Sequence, residues 1–147
     1  MTKVSVRAAD GMHLHLHRVA GPSVAPPSGR LQRPLLMVPG MFCDQAFFLQ
    51  RGRGMAHALA RSGRPVFVLE RRRTGTFDEI VEQDVRAACA AVADETGAAR
   101  LALLGHSAGA GAALCAALSQ VCVLLLRLLS SPSHRRRCGS GSRAWRC

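Results

Sequence analysis

Three short apolar runs, each followed by a segment with helical spacing, limit the folds that this chain of 147 residues can adopt. The runs lie at residues 34–38, 65–69 and 101–104. None of them alternates apolar with polar residues, as a strand with one solvated face does. Strands that are apolar throughout belong to parallel sheets whose two faces are both covered by helices. We therefore predict an α/β fold with three parallel strands and flanking helices.

A β-hairpin is expected ahead of these strands. Residues 4–17 contain two alternating segments separated by Asp10-Gly11, a common hairpin turn. The alternation places His13, His15 and His17 on one strand face. Three histidines at this spacing could bind a metal, but the strand that carries them contains no carboxylate or cysteine to complete a site. We therefore interpret this face as solvated and predict no metal site.

Helices are predicted between and after the parallel strands. The first covers roughly residues 45–62 and ends at Gly63. Its apolar positions are Phe47, Phe48, Met55 and Leu59. The second covers residues 76–97, and Thr76 and Glu79 at its start have the spacing of a capping box. The basic run 71–73 between strand and helix is interpreted as a solvated loop.

The third apolar run leads into the stretch with the most chemical information. Gly105-His106-Ser107-Ala108-Gly109 fits the G-x-S-x-G pattern of a nucleophile elbow, a sharp strand-to-helix turn that exposes a serine hydroxyl. Such a turn has no room for a Cβ two residues before or after the serine, and glycine supplies that room. The N–H of Ala108 would begin a helix, where it can stabilise an oxyanion. A glycine-rich turn without catalytic function would show the same pattern.

Roughly residues 3 to 120 resemble the α/β-hydrolase fold family, in particular its lipase- and esterase-like members. The resemblance rests on the hairpin, the strand ending in LMVPGMF at 36–42, the capped helix and the G-x-S-x-G turn. It implies a partial α/β-hydrolase fold and acyl transfer without a cofactor. Ser107 would attack a small-molecule or lipid ester. The family's second oxyanion N–H falls on Met41, although Pro39 stands where the family has histidine.

The acid and the histidine that follow the serine in this family are not found in their usual order. No Asp or Glu follows Ser107, and the last acidic residue is Glu95. The one later histidine is His134, in the Arg-, Ser-, Gly- and Cys-rich segment 131–147. His106 adjoins the serine and is expected to pack away from it. The resemblance therefore predicts a serine hydrolase that is incomplete in this chain.

A change of composition near residue 120 divides the chain into two predicted parts. Residues 1–120 correspond to the N-terminal part of an α/β-hydrolase domain, and residues 121–147 to an aberrant or irregular tail. A frameshifted or truncated GC-rich reading frame would encode such a tail, and translating the other two frames beyond codon 120 tests this hypothesis. Half of a doubly wound sheet leaves a strand edge unpaired, so non-specific self-association is expected.

Two other interpretations stay open at this point. One is a catalytically inactive fragment or pseudoenzyme, in which the elbow survives only as part of the fold. The other is a membrane-associated protein, because residues 108–126 form a predicted helix without a charged side chain. Ser119 and Gln120 weaken this second interpretation, and a helix buried behind a strand explains the same composition.

Charge and cysteine content exclude several partners and cofactors. The formal net charge is +11, but 19 of the 20 basic residues are arginine, which we attribute to GC-rich coding. No nucleic-acid-binding motif accompanies this charge, so neither nucleic acid nor a specific protein partner is predicted. The six cysteines form no C-x-x-C pair, which argues against zinc. The N-terminus lacks the apolar segment of a secretory signal, and we expect a cytoplasmic location.

Overall fold

The computed structural model describes residues 1–21 and 32–130, the last eleven of these as a helical backbone only. Five strands form one sheet in the order β1-β2-β4-β3-β5. The strands are β1 (Thr2–Arg7), β2 (His13–Val19), β3 (Leu35–Val38), β4 (Val66–Glu70) and β5 (Ala102–Gly105). β2 is antiparallel to both β1 and β4, whereas β3 is parallel to both β4 and β5. The predicted hairpin and the three parallel strands are therefore confirmed.

Helices follow each parallel strand. They are α1 (Ala46–Leu49), α2 (Met55–Ala60), α3 (Phe77–Glu79), α4 (Arg86–Thr96) and α5 (Ala108–Ser130), and a π-helical segment, Ile80–Val85, joins α3 to α4. The predicted capping box is present: the Glu79 N–H donates to Thr76 Oγ1 at 3.2 Å, and the Thr76 N–H donates to the Glu79 carboxylate at 2.6 Å. These two reciprocal bonds fix where the helix after β4 begins.

The single helix predicted at 45–62 is wrong. A 3₁₀ turn at Gln50–Gly52 separates α1 from α2, and Gln50 and Arg51 have positive φ angles of 37° and 49°. A Cβ on Gly54 would lie 2.0 Å from the Phe48 carbonyl oxygen, so the chain turns back on itself here. Met55, a predicted apolar position of the helix, is 53% exposed. The break has therefore turned this residue away from the apolar face.

Both faces of the sheet are covered, as the unbroken apolar strands predicted. Successive residues of a strand point to opposite faces, so Leu36 and Val38 lie in one cluster of buried side chains, and Leu35 and Met37 lie in another. The first cluster contains side chains of the π-helical segment, α4 and the start of α5, and the second contains those of α1 and α2. The parallel strands therefore form the middle layer of a three-layer unit.

The histidine face of β2 is only partly solvated, which corrects the sequence interpretation. His17 is 8% exposed, and its Nε2 lies 2.8 Å from a carboxylate oxygen of Glu70, which also pairs with Lys3 at 3.1 Å. Lys3 is paired with His17 across β1, and Glu70 is paired with His15 across β4, so both side chains share this face and cover one end of it. Burial raises the pKa of Glu70, but the bonds from His17 and Lys3 outweigh it and bring the pKa below its ordinary value.

Residues Met1–Ala116 form one compact unit, and a second begins at Ala117. Helix α5 continues to Ser130, so residues 121–130, which composition assigned to an irregular tail, are helical. Residues 121–126 are apolar, and residues 124–126 are three consecutive leucines, which favour a helix. Among the described residues, no helix is long and apolar enough to cross a membrane. The predicted tail 131–147, with His134, lies outside the described residues.

We expect the isolated chain to self-associate as its concentration rises. β5 is at one end of the sheet order and pairs only with β3 among the described strands, and its residues are half-buried rather than covered. An unpaired strand edge of this kind is a template for pairing with another chain. Size-exclusion chromatography with light scattering measures the association. A monodisperse monomer that unfolds cooperatively at every concentration would contradict the prediction.

Candidate active site

Ser107 lies in the sharp turn between β5 and α5, in a backbone conformation that non-glycine residues rarely adopt. Its φ angle is +53°, and its side chain is exposed. Two hydrogen bonds close the turn: the Gly109 N–H donates to the His106 carbonyl at 2.9 Å, and the Ala110 N–H donates to the Ser107 carbonyl at 2.8 Å. A left-handed serine at a strand-to-helix turn is strained and needs support from the surrounding structure. It is the arrangement that a nucleophile elbow requires.

The two glycines of the motif are packed as tightly as the sequence predicted. A Cβ on Gly105 would lie 2.3 Å from the Cα of Ala110. A Cβ on Gly109 would lie 2.3 Å from the Val38 carbonyl oxygen and 2.4 Å from that of Pro39. All of these neighbouring atoms belong to the backbone, so no side chain could rotate away to admit a larger residue. Helix α5 can begin directly against the end of β3 only because both positions are glycine.

The loop after β3 lies against the elbow. A Cβ on Gly40 would lie 3.2 Å from the Cβ of Ser107 and 3.0 Å from the His106 carbonyl oxygen. Met41 and Ala108, the two residues expected to supply oxyanion N–H groups, both line a cavity of about 10 Å³ between the loop and α5. That volume is about the size of one water-sized probe. Neither N–H donates to an acceptor within residues 1–21 and 32–130.

His106 is engaged in packing rather than placed as a base. Its ring stacks on Phe47 with a centroid separation of 4.2 Å and an interplanar angle of 28°. Its Nδ1 lies 4.0 Å from the Sγ of Cys43. These contacts agree with the expectation that the residue before Ser107 packs away from it, and they fasten the elbow to the loop that follows β3.

A general base for Ser107 is not found in the part of the chain that the structure describes. The Ser107 hydroxyl makes no hydrogen bond to any of the described residues. Glu70 pairs with His17 and Lys3, as described above, and other acids are paired around Arg72. The incomplete triad inferred from the sequence therefore has no substitute here, and His134 lies outside the described residues.

A cleft of about 750 Å³ opens at the carboxyl ends of β3 and β4. Its walls come from the loops after these two strands and from the start of β2, and include Met12, Met41, Phe42, Phe47 and Arg71. Phe42 is fully exposed at 101%, and Met41 is 41% exposed. The lining also includes the charged residues Glu70, Arg72 and Arg73, so apolar and polar groups share the cleft. Its place at the carboxyl edge of a parallel sheet is typical of small-molecule sites in α/β folds.

The loop after β4 is anchored from inside the protein, which the sequence interpretation of a solvated basic run missed. The side chain of Arg72 is only 4% exposed and contacts Asp84 and Asp10, each at 2.7 Å. Asp84 is completely buried and also accepts the Arg72 N–H at 3.1 Å. Burial raises the pKa of Asp84, while its hydrogen bonds with Arg72 act against this rise. The sequence carried one signal: an acid at 84 between the apolar positions Val81 and Val85 of a helix.

The mixed sheet, the covering helices and the left-handed serine at the start of α5 define the class of protein as a partial α/β-hydrolase fold. No family model and no curated protein sequence matches the chain. Among solved structures, it is similar to DcsB, solved in complex with its substrate analogue, with 18% identity and a TM-score of 0.62 over 79% of this chain. An esterase of Pyrococcus furiosus, Pf2001, matches 76% of the chain with 17% identity and a TM-score of 0.57.

XC6422 from Xanthomonas campestris, described as an α/β serine hydrolase without a lid, is also similar. It matches 80% of this chain with 23% identity and a TM-score of 0.54. The matched region is 40% of DcsB, 41% of Pf2001 and 56% of XC6422. The chain therefore spans about half the length of these solved structures, and what they share with it is the fold.

Proposed function

We propose that this chain is part of a serine hydrolase that acts on carboxylic esters, with Ser107 as its nucleophile. The observation that carries the proposal is the φ angle of +53° at Ser107. This turn needs Gly105 and Gly109, because a Cβ at either position would clash with backbone atoms. Ser107 Oγ attacks the ester carbonyl and passes its proton to a base, and the alcohol leaves as an acyl-enzyme forms. Water then hydrolyses the acyl-enzyme.

Met41 and Ala108 supply the N–H groups that bind the oxyanion of the tetrahedral intermediate. The proposal is supported by their position on one small cavity between the loop after β3 and α5, and by the lack of a protein acceptor for either N–H among the described residues. Each preorganised donor in such a site contributes on the order of 3 kcal/mol to transition-state stabilisation.

The base of this proposal comes from outside the described residues, whereas all nine Asp and Glu residues of the sequence lie within them. Support comes from the Ser107 hydroxyl, which has no hydrogen-bond partner among the described residues. The alternative is an elbow that survives without catalysis, as in a pseudoenzyme. The two readings predict opposite results for a reagent that reacts only with activated serines.

We expect a fluorophosphonate probe to label the full chain at one site and Ser107→Ala to abolish the labelling. Phosphonylation requires the serine oxygen to be activated and the developing charge to be held by oxyanion donors. Ser5→Ala, at an exposed position in β1, is the matched control and should label as the wild type does. Circular dichroism confirms folding of each variant. A folded wild-type chain without labelling would identify the elbow as non-catalytic.

A further inference from the structure

Three residues from three neighbouring parallel strands meet at the carboxyl edge of the sheet. Met37 of β3 is opposite Val68 of β4, and Val38 is opposite Gly105 of β5. Continuing both registers past the strand ends places Gly40 between Arg71 and Ser107. Strand pairing alone therefore brings the first residue after β4 beside the loop that borders the elbow.

Arg71 uses its guanidinium to hold this loop by its backbone carbonyls. Its Nη2 donates to the carbonyl oxygen of Gly40 at 2.9 Å and also to that of Met41. Its Nη1 donates to the carbonyl oxygen of Arg72 at 2.8 Å, within its own loop. The Gly40 carbonyl accepts a second bond, at 3.2 Å, from the Cys43 N–H. The guanidinium therefore bridges the loops after β3 and β4.

We propose that Arg71 is a positioning residue that orients the Met41 N–H toward the oxyanion. The Gly40 carbonyl and the Met41 N–H belong to one planar trans peptide, in which they point in opposite directions. A guanidinium that fixes the carbonyl oxygen on one side therefore fixes the direction of the N–H on the other side. The inference rests on the proposed function, because that function gives the Met41 N–H its role.

The charge of Arg71 adds a second effect on the same peptide. A hydrogen bond from a cation to the Gly40 carbonyl polarises the peptide and makes its N–H a stronger donor. Arg71 acts through the backbone of the neighbouring loop and needs no contact with the substrate.

The experiment replaces Arg71 by Ala and by Lys in the full chain. Arg100→Ala is the matched control, since Arg100 is exposed and lies outside the cleft. One measurement is the rate constant for fluorophosphonate labelling of Ser107. The other is hydrogen exchange at the Cys43 amide, whose bond to the Gly40 carbonyl reports how firmly that peptide is held.

We expect Arg71→Ala to slow labelling on the order of 10- to 100-fold and to speed exchange at Cys43 while β4 amides keep their wild-type rates. Arg71→Lys keeps the charge but loses the planar guanidinium that donates to several carbonyls at once. Its labelling and exchange rates should therefore lie between those of the wild type and Arg71→Ala. Added guanidinium ion at a non-denaturing concentration should partly restore labelling of Arg71→Ala. It would not do so if the variant labelled slowly because the whole chain had lost stability. Arg100→Ala should behave as wild type in both measurements.

Two results would overturn the inference. Unchanged exchange at Cys43 in Arg71→Ala would show that the guanidinium does not hold the peptide. Faster exchange with wild-type labelling would show that this peptide does not supply the oxyanion donor. A wild-type chain that is not labelled at all defeats the proposed function instead, and the exchange at Cys43 then decides by itself whether Arg71 fixes the peptide.

Discussion

Replacement of Gly109 by alanine will abolish labelling of Ser107 and lower the free energy of unfolding by about 3 kcal/mol, at the upper end of typical overpacking costs. The added Cβ would meet the carbonyl oxygens of Val38 at 2.3 Å and Pro39 at 2.4 Å. Both oxygens are backbone atoms and cannot rotate away, and the Val38 carbonyl also accepts the His106 N–H at 3.1 Å. Helix α5 must then move away from β3, which separates the Ala108 N–H from the loop that carries Met41.

A second glycine of the same helix provides the matched control. A Cβ on Gly111 would lie 3.4 Å from the Cζ of Phe77, the far end of a partly exposed ring. Gly111→Ala should therefore leave labelling intact and raise stability by up to about 1 kcal/mol, because alanine favours a helix interior more than glycine does. Urea unfolding of both variants measures the difference. Equal stabilities would mean that the elbow is loose and that its glycines are not required by packing.

The layered fold could be predicted from the sequence because its signals are local. Apolar runs of four or five residues, the Asp10-Gly11 turn and the Thr76–Glu79 capping box each specify nearby backbone geometry. The helix predicted at 45–62 failed for the opposite reason. Gly52 and Gly54 mark the break locally, but the break also needs positive φ angles at Gln50 and Arg51, two residue types that carry no local signal for that conformation.

Some residues of the candidate site can be recognised from a local motif, whereas others are brought together only by the fold. Ser107 and its flanking glycines form a contiguous motif, so the elbow could be located in the sequence. The pairing of His17 with Glu70 spans 53 positions, and the bond from Arg71 to the Gly40 carbonyl spans 31. Both depend on the strand order, in which β4 lies between β2 and β3. An arginine run looks the same in the sequence whether it is solvated or anchors two loops.

Replacement of Asp84 by alanine is expected to destabilise the chain by about 3–5 kcal/mol, the usual cost of removing one member of a buried ion pair. Asp84 is completely buried, accepts a hydrogen bond from Arg72 Nε at 2.7 Å, and forms an ion pair with Arg72 Nη2 at the same distance. Without it, a guanidinium that is 4% exposed keeps only the more exposed carboxylates of Asp10 and Glu79. The loop that carries Arg71 would loosen as well, so labelling of Ser107 should slow with it.

Glu82→Ala is the control for Asp84→Ala because it removes an acid from the same helical segment at an exposed position. Glu82 pairs with Arg86 at 2.7 Å, one helical turn further on, and such exposed pairs contribute only about 0.3–0.5 kcal/mol.

The double variant Arg72→Met with Asp84→Leu should recover most of the stability that Asp84→Ala loses, since it leaves no unpaired charge in the interior. Thermal unfolding distinguishes the variants. If Asp84→Ala costs no more than Glu82→Ala, then water reaches Arg72 in solution and the loop after β4 is not anchored from inside. A stable double variant that labels slowly would instead separate the two roles of the pair, with apolar packing sufficient for stability and the charged anchor needed to place Arg71.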